Sequence, residues 1–187
     1  VPDTVVAVVD TGVDYTHEDL GAHYRDGGYD FVEDDADPFP SADGLDNNHD
    51  GRIDEGIHHG TQVSGIIAAL SNNAQGVAGV ANVSVLAERV LDSDGVGTVL
   101  DVAEGILHAV VQGAHVINLS LGGGPSMVLQ DACQQAWAAG VVVVAAAGND
   151  FGGPVGYPAA YPEVIAVSAL DDTLGLADFS NRGPEVE

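Results

Sequence analysis

The 187-residue chain has the length of a single domain with room for a buried core, and 45% of its residues are hydrophobic. It sets 29 acidic residues against four arginines and no lysine, for a formal net charge of −25. Such a field repels nucleic acid and anionic lipid, and no unbroken apolar run approaches the roughly 18 residues of a membrane span, so both are excluded as partners.

Thr4–Val9 is a continuous apolar run of strand length, closed by Thr11-Gly12. Gly28–Val32 reads as a short strand. From Glu33 to Gly56 the chain is rich in Asp, Pro and Gly and has no hydrophobic periodicity. A connection that long inside a compact domain needs a function or a ligand to order it. Gly60–Leu70 is helical, with small residues at Ser64, Gly65, Ala68 and Ala69 suited to close packing. Val83–Leu91 is strand-like. Thr98–Val111 reads as an amphipathic helix, with Val99, Val102, Ala103, Ile106 and Val110 on one face and Asp101, Glu104 and His108 on the other. Ala114–Leu119 and Val141–Ala147 read as strands flanking a helix near Ser126–Ala139, and Pro162–Ala169 as a last strand. Alternating strands and helices with buried β runs predict an α/β fold, a mostly parallel sheet with helices on both faces. The single cysteine, Cys133, excludes an intrachain disulfide. It falls in the helical pattern among small and apolar neighbours, where a buried structural thiol is expected.

Three short segments can carry chemistry. Asp10 ends the first strand, at the carboxyl edge where open α/β sheets place their sites. Asp-Thr-Gly also marks pepsin-like aspartic proteases, but those need a second such aspartate and an all-β fold; a plainer role for Asp10 is capping the next turn. His59 directly precedes a helical run, so its ring can project into a cleft, and His58 competes for that place. Asn149 follows a strand that shrinks to Ala and Gly. Its amide could donate to a developing negative oxygen, or it could be a turn residue. A carboxylate to orient a base, an imidazole to be one and a carboxamide for an oxyanion lack only a hydroxyl nucleophile.

Val6-Ala-Val-Val-Asp-Thr-Gly-Val-Asp14, His59-Gly-Thr-Gln-Val-Ser-Gly65, Asn118-Leu-Ser-Leu-Gly-Gly123 and Ala145-Ala-Ala-Gly-Asn149 resemble the signature blocks of subtilisin-like serine proteases. Tyr157–Ser168 and Phe179–Gly183 resemble two further blocks, and all six stand in the family's order. The resemblance implies a three-layer subtilisin-like fold and a serine endopeptidase acting on protein or peptide substrates. Asp10 would orient the imidazole, His59 would shuttle the serine proton, and Asn149 would be the oxyanion donor. Gly95-Val96-Gly97 and Ser120-Leu121-Gly122 would pair with a substrate strand on either side, and Ala146-Ala147-Gly148 would wall the specificity pocket. Two departures stand out. The Gly-Thr-Ser-Met-Ala block that carries the family's nucleophile is missing, and only nine residues precede Asp10. Ser120, Ser126 and Ser180 all fall in segments that match other family elements. The chain therefore reads as a partial catalytic domain over 1–187, truncated at both ends, with an acidic insertion at about 33–57, and alone it should be inactive. Gln62 and Ser64 replace the family's more usual His and Ala and leave the assignment intact.

The insertion holds Asp46, Asn48, Asp50, Arg52 (through its carbonyl) and Asp54, with Gly51 at the turn. This is the first half of an EF-hand-type calcium loop, but position 12 is Ile57 rather than Glu. A structural calcium ion is expected there, with a solvated acidic loop as the alternative. The overall acidity reads as adaptation to high salt, as calcium loading of a secreted protein, or as plain solubility, and the absence of lysine favours the first. The expected protein is secreted and monomeric. Rival readings are a catalytically dead peptide-binding relative and a calcium-binding structural module.

Overall fold

Strand β1, Val5–Asp10, is buried along its whole length, as the middle of a parallel sheet covered on both faces must be. Its alternate side chains divide between two cores. Val5, Ala7 and Val9 join Leu86, Ile106 and Ile117 on one face; Val6 and Val8 join Leu20, Ala68, Val85 and Ala87 on the other. Full burial of each such Val contributes about 1.5–3 kcal/mol. The coordinates, a computed structural model, describe residues 2–186.

The remaining strands are β2 (Tyr29–Asp30), β3 (Ser84–Arg89), β4 (Val116–Leu119), β5 (Val142–Ala146) and β6 (Val164–Val167). All pair in parallel, in the order β2-β3-β1-β4-β5-β6. Helices α2 (Val99–Val111) and α3 (Met127–Ala138) pack together on one face, and α1 (His59–Ala68) lies on the other. This is the three-layer α/β arrangement that the alternation of elements implies. The wholly buried Cys133 sits in the α2–α3 core, where burial pushes its thiol up to about 12.

The helix starts follow local chemistry. Thr98 caps α2 by accepting the Asp101 N–H (3.1 Å), and Ser126 caps α3 by accepting that of Leu129 (3.5 Å). Helix α1 has no side-chain cap of its own. Its Gly60 N–H is accepted instead by Thr11 Oγ1, just past the end of β1, at 3.1 Å. Gly60 is needed there, because a Cβ would run into the Gly12 carbonyl and the Asp10 side chain.

Two details differ from the sequence reading. Gly65 serves no close approach, since nothing lies within 4 Å of where its Cβ would be. His108 does not belong to a solvated face. The alternation that turns Leu86 toward α2 also turns Glu88 that way, and His108 Nδ1 lies 2.9 Å from both oxygens of the fully buried Glu88 carboxyl group.

The acidic insertion is tied to the sheet by Arg89, on the strand register opposite Asp10. This 3%-exposed guanidinium reaches the Asp30 and Glu33 carboxylates and the Ser41 carbonyl. A buried arginine so paired holds its segment because its loss would strand the buried Asp30 carboxylate. Pro38 then accepts the Val13 N–H at 3.0 Å, which seats the insertion against the turn after Asp10.

Candidate active site

Parity on β1 turns Asp10 to the α1 face, and the Thr11–Gly60 cap places the first residue of α1 beside it. The result is a close pair. His59 Nδ1 lies 2.8 Å from Asp10 Oδ1 and 2.9 Å from Oδ2. Asp10 is wholly buried, and its Oδ1 also accepts the Thr11 N–H at 2.7 Å. The His59 side chain is 46% exposed and lines an open cleft of about 670 Å³. Donation of Nδ1–H to the carboxylate leaves Nε2 as the basic nitrogen. The Asp10 hydrogen bond and charge hold the imidazole above its ordinary 6.5 against an opposing effect of burial.

Gly95, Val96 and Gly97 line the same cleft, as do Ser120, Leu121 and Gly122. The Ser120–Gly123 stretch also borders an adjoining pocket of about 500 Å³, whose wall is Ala146, Ala147, Gly148 and Asn149. The Ser120–Gly123 stretch is thus the wall common to the cleft that holds His59 and the pocket that holds Asn149. His58 makes no polar contact with Asp10 among the described residues; it is the residue before α1.

The three serines weighed as nucleophiles are engaged elsewhere. Ser120 Oγ accepts Asn118 Nδ2 at 3.0 Å and Ser126 caps α3. Ser180 Oγ accepts the Ala169 N–H at 2.9 Å and donates to the Asn181 carbonyl at 3.3 Å.

The 46–54 loop is built from its own amides. The two Asp46 oxygens accept the Asp50 and Gly51 N–H groups (both 3.0 Å). Asn48 Oδ1 accepts the Asp50 N–H (3.0 Å) and Asp50 Oδ1 that of Arg52 (2.9 Å). Asp54 turns away to the Asp43 and Gly44 amides, and the Arg52 side chain pairs with Glu55 at 3.0 Å. Among the described residues no three His, Cys, Asp or Glu side chains are grouped closely enough to share a metal ion.

Three contributors were given no role by the sequence reading, although Thr11 and Asn181 fall inside the blocks that carry the resemblance. Thr11 joins β1 to α1. Asp94, nearly buried, accepts the Asn47 N–H (2.6 Å) and the Glu55 N–H (3.2 Å), so one carboxylate closes the neck of the acidic loop beside Gly95. Asn181 borders the Asn149 pocket. Each acts through partners more than 25 positions away, which no local pattern reveals.

Comparison with known proteins bears on the whole chain. The subtilase family (peptidase S8) model matches residues 2–187. The halolysin-like extracellular serine protease Nep of Natrialba magadii is 47% identical over 99% of this chain and 33% of its own length. Thermitase of Thermoactinomyces vulgaris is 44% identical over 97% of this chain and 60% of its own. A protease structure from Pseudoalteromonas arctica superposes with a TM-score of 0.87 at 36% identity, covering 100% of this chain and 62% of that one. The chain therefore spans between a third and three fifths of the length of these two curated relatives.

Proposed function

The chain belongs to the subtilase family, and from that premise we propose that it is part of the catalytic domain of a secreted, monomeric serine endopeptidase that hydrolyses protein and peptide substrates. The observation that carries the proposal is His59 Nδ1 set between the two oxygens of a buried Asp10 at the mouth of the cleft. In this reading a serine supplied from outside these 187 residues gives its proton to His59 Nε2 as its oxygen attacks the scissile carbonyl. Asp10 holds the ring in the right tautomer and stabilises the imidazolium. His59 then returns the proton to the leaving amine, and water repeats the sequence to release the acyl group. Asn149 donates its amide to the oxyanion, a role worth roughly 3–4 kcal/mol in enzymes of this kind, subtilisin among them. Gly95–Gly97 and Ser120–Gly122 present backbone to an extended substrate, and the Ala146–Gly148 wall admits a large apolar side chain.

Secretion and adaptation to salt are supported by the net charge of −25 and by similarity to a halolysin-like extracellular protease. A calcium ion in the acidic insertion is supported by the order of Asp46, Asn48, Asp50 and Asp54 around Gly51, and it requires the loop to regroup its carboxylates. The test of the main proposal uses two polypeptides. The full-length protein hydrolyses casein and is inactivated by a fluorophosphonate, and the 187-residue segment does neither. Labelling and turnover by the isolated segment would refute the assignment of the nucleophile. Failure of the full-length protein would refute the activity.

A further inference from the structure

We propose that Asn181 is a positioning residue that sets the oxyanion donor by holding both neighbours of Asn149; the proposal rests on the role assigned to Asn149 above. Asn181 is wholly buried and lies 32 positions beyond the residue it would serve. Its backbone N–H donates to the Gly148 carbonyl at 2.9 Å, and its Oδ1 accepts the Asp150 N–H at 2.7 Å. Its Nδ2 donates to Asp150 Oδ2 at 2.8 Å, to the Pro154 carbonyl at 2.9 Å and to the Ala147 carbonyl at 3.2 Å. Residues 147, 148 and 150 are thereby fixed by one side chain and its own amide. Asn149 between them is exposed, and its carboxamide makes no hydrogen bond to other described residues.

The fit is specific to asparagine. Nδ2 faces three acceptors and Oδ1 faces one donor, so an aspartate would set an oxygen against the Asp150 carboxylate and the Ala147 and Pro154 carbonyls. Gly148, at φ 109°, lies so close that a Cβ there would meet Asn181 Nδ2. Asn181 is in turn anchored, since its carbonyl accepts Ser168 Oγ–H at 2.8 Å just beyond β6. The oxyanion donor thus takes its position from the β6 end of the sheet as well as from β5. A donor displaced by about an ångström loses much of its effect on the transition state.

The test is a double-mutant cycle in the full-length protein with a chromogenic peptide anilide. Asn181→Ala lowers kcat about tenfold with KM changed less than about twofold. In an Asn149→Ala background the same change alters kcat less than about twofold, because the group to be positioned is gone. An equal loss in both backgrounds, or no loss in the first, overturns the proposal. If Asn149→Ala leaves kcat unchanged, the oxyanion reading fails and takes this one with it. Asn181→Asp, which keeps the acceptor for Asp150, follows the same pattern and serves if the alanine variant does not fold. A second readout needs no turnover: amide hydrogen exchange at Asp150 speeds at least tenfold in Asn181→Ala, which removes the acceptor, while that of Val143–Ala145 is unchanged. Unaltered protection at Asp150 overturns the proposal even if the protein is not a protease.

Discussion

Asp10 and His59 are 49 positions apart, yet Nδ1 of the imidazole is shared almost equally between the two oxygens of the carboxylate. The pairing raises the folded-state pKa of His59 above 6.5, so the neutral ring that the proposed mechanism uses as a base is fully present only above that value. Under the proposed function, the activity of the full-length protein should therefore rise with pH along a limb whose midpoint exceeds 6.5. Asp10→Asn should shift that midpoint down and cost about 10⁴ in kcat, by loss of both the tautomer and the counter-charge. A profile that keeps its midpoint in the variant would mean that another group sets it.

Glu88 offers a second test on the opposite face of the sheet. Burial pushes its carboxyl up from 4.5 to about 9, and the same burial lowers His108 below its ordinary 6.5. Tyr29 and Phe31 pack beside the ring and Gln112 Nε2 meets His108 Nε2 at 3.1 Å. The sign follows from proton counts. The folded Glu88 keeps a proton that the unfolded chain gives up above 4.5, so its contribution is complete below that value and fades as pH climbs toward 9. The lowered His108 acts oppositely up to 6.5, which leaves the net decline between about 6.5 and 9. The slope is at most about 1.4 kcal/mol per pH unit. Urea denaturation at pH 6.5, 7.5 and 8.5 should show that decline in the parent and a flatter profile in Glu88→Gln.

Much of the fold was legible because its signals are local. The apolar run ending at Asp10, the helical patterns starting at Thr98 and Ser126 and the shrinking strand before Asn149 each announce an element within a few residues. The close pair Asp10–His59 needed more than that, and the family resemblance supplied the pairing. What stayed hidden depends on side-chain direction across the sheet. The alternation along β3 sends Glu88 to α2 and Arg89 to the insertion, but a sequence does not state which face is which until the strands are paired. Asp94 and Asn181, which lie outside the strands, were missed for another reason: each holds backbone groups of a distant loop, and backbone partners leave no mark on residue identity.

Asp94 should separate substrate binding from chemistry. Its carboxylate holds Asn47 and Glu55 while the next residues, Gly95–Gly97, border the cleft. Asp94→Ala frees the neck of the loop, and the edge beside it loses a fixed support. KM for a peptide long enough to reach that edge should rise about tenfold, with kcat within twofold, as expected when binding common to ground and transition states is lost. A short ester that ends before the edge should show no change. Equal effects on both substrates would make Asp94 a general structural residue rather than a support of the binding edge.

The acidic insertion distinguishes two accounts of the charge. If calcium binds there, a concentration near 100 Kd stabilises the fold by about 2.7 kcal/mol. For a chain of this size that corresponds to a rise in Tm of roughly 5–10 °C. The rise should vanish in Asp46→Asn/Asp50→Asn and on addition of EDTA, and potassium chloride at matched ionic strength should not reproduce it. Screening alone behaves differently. With 29 acidic groups against four arginines, molar potassium chloride should stabilise parent and variant alike by weakening repulsion across the whole surface. A response to salt that is the same in both proteins, together with no response to calcium in either, would assign the acidity to saline adaptation and leave the loop without an ion.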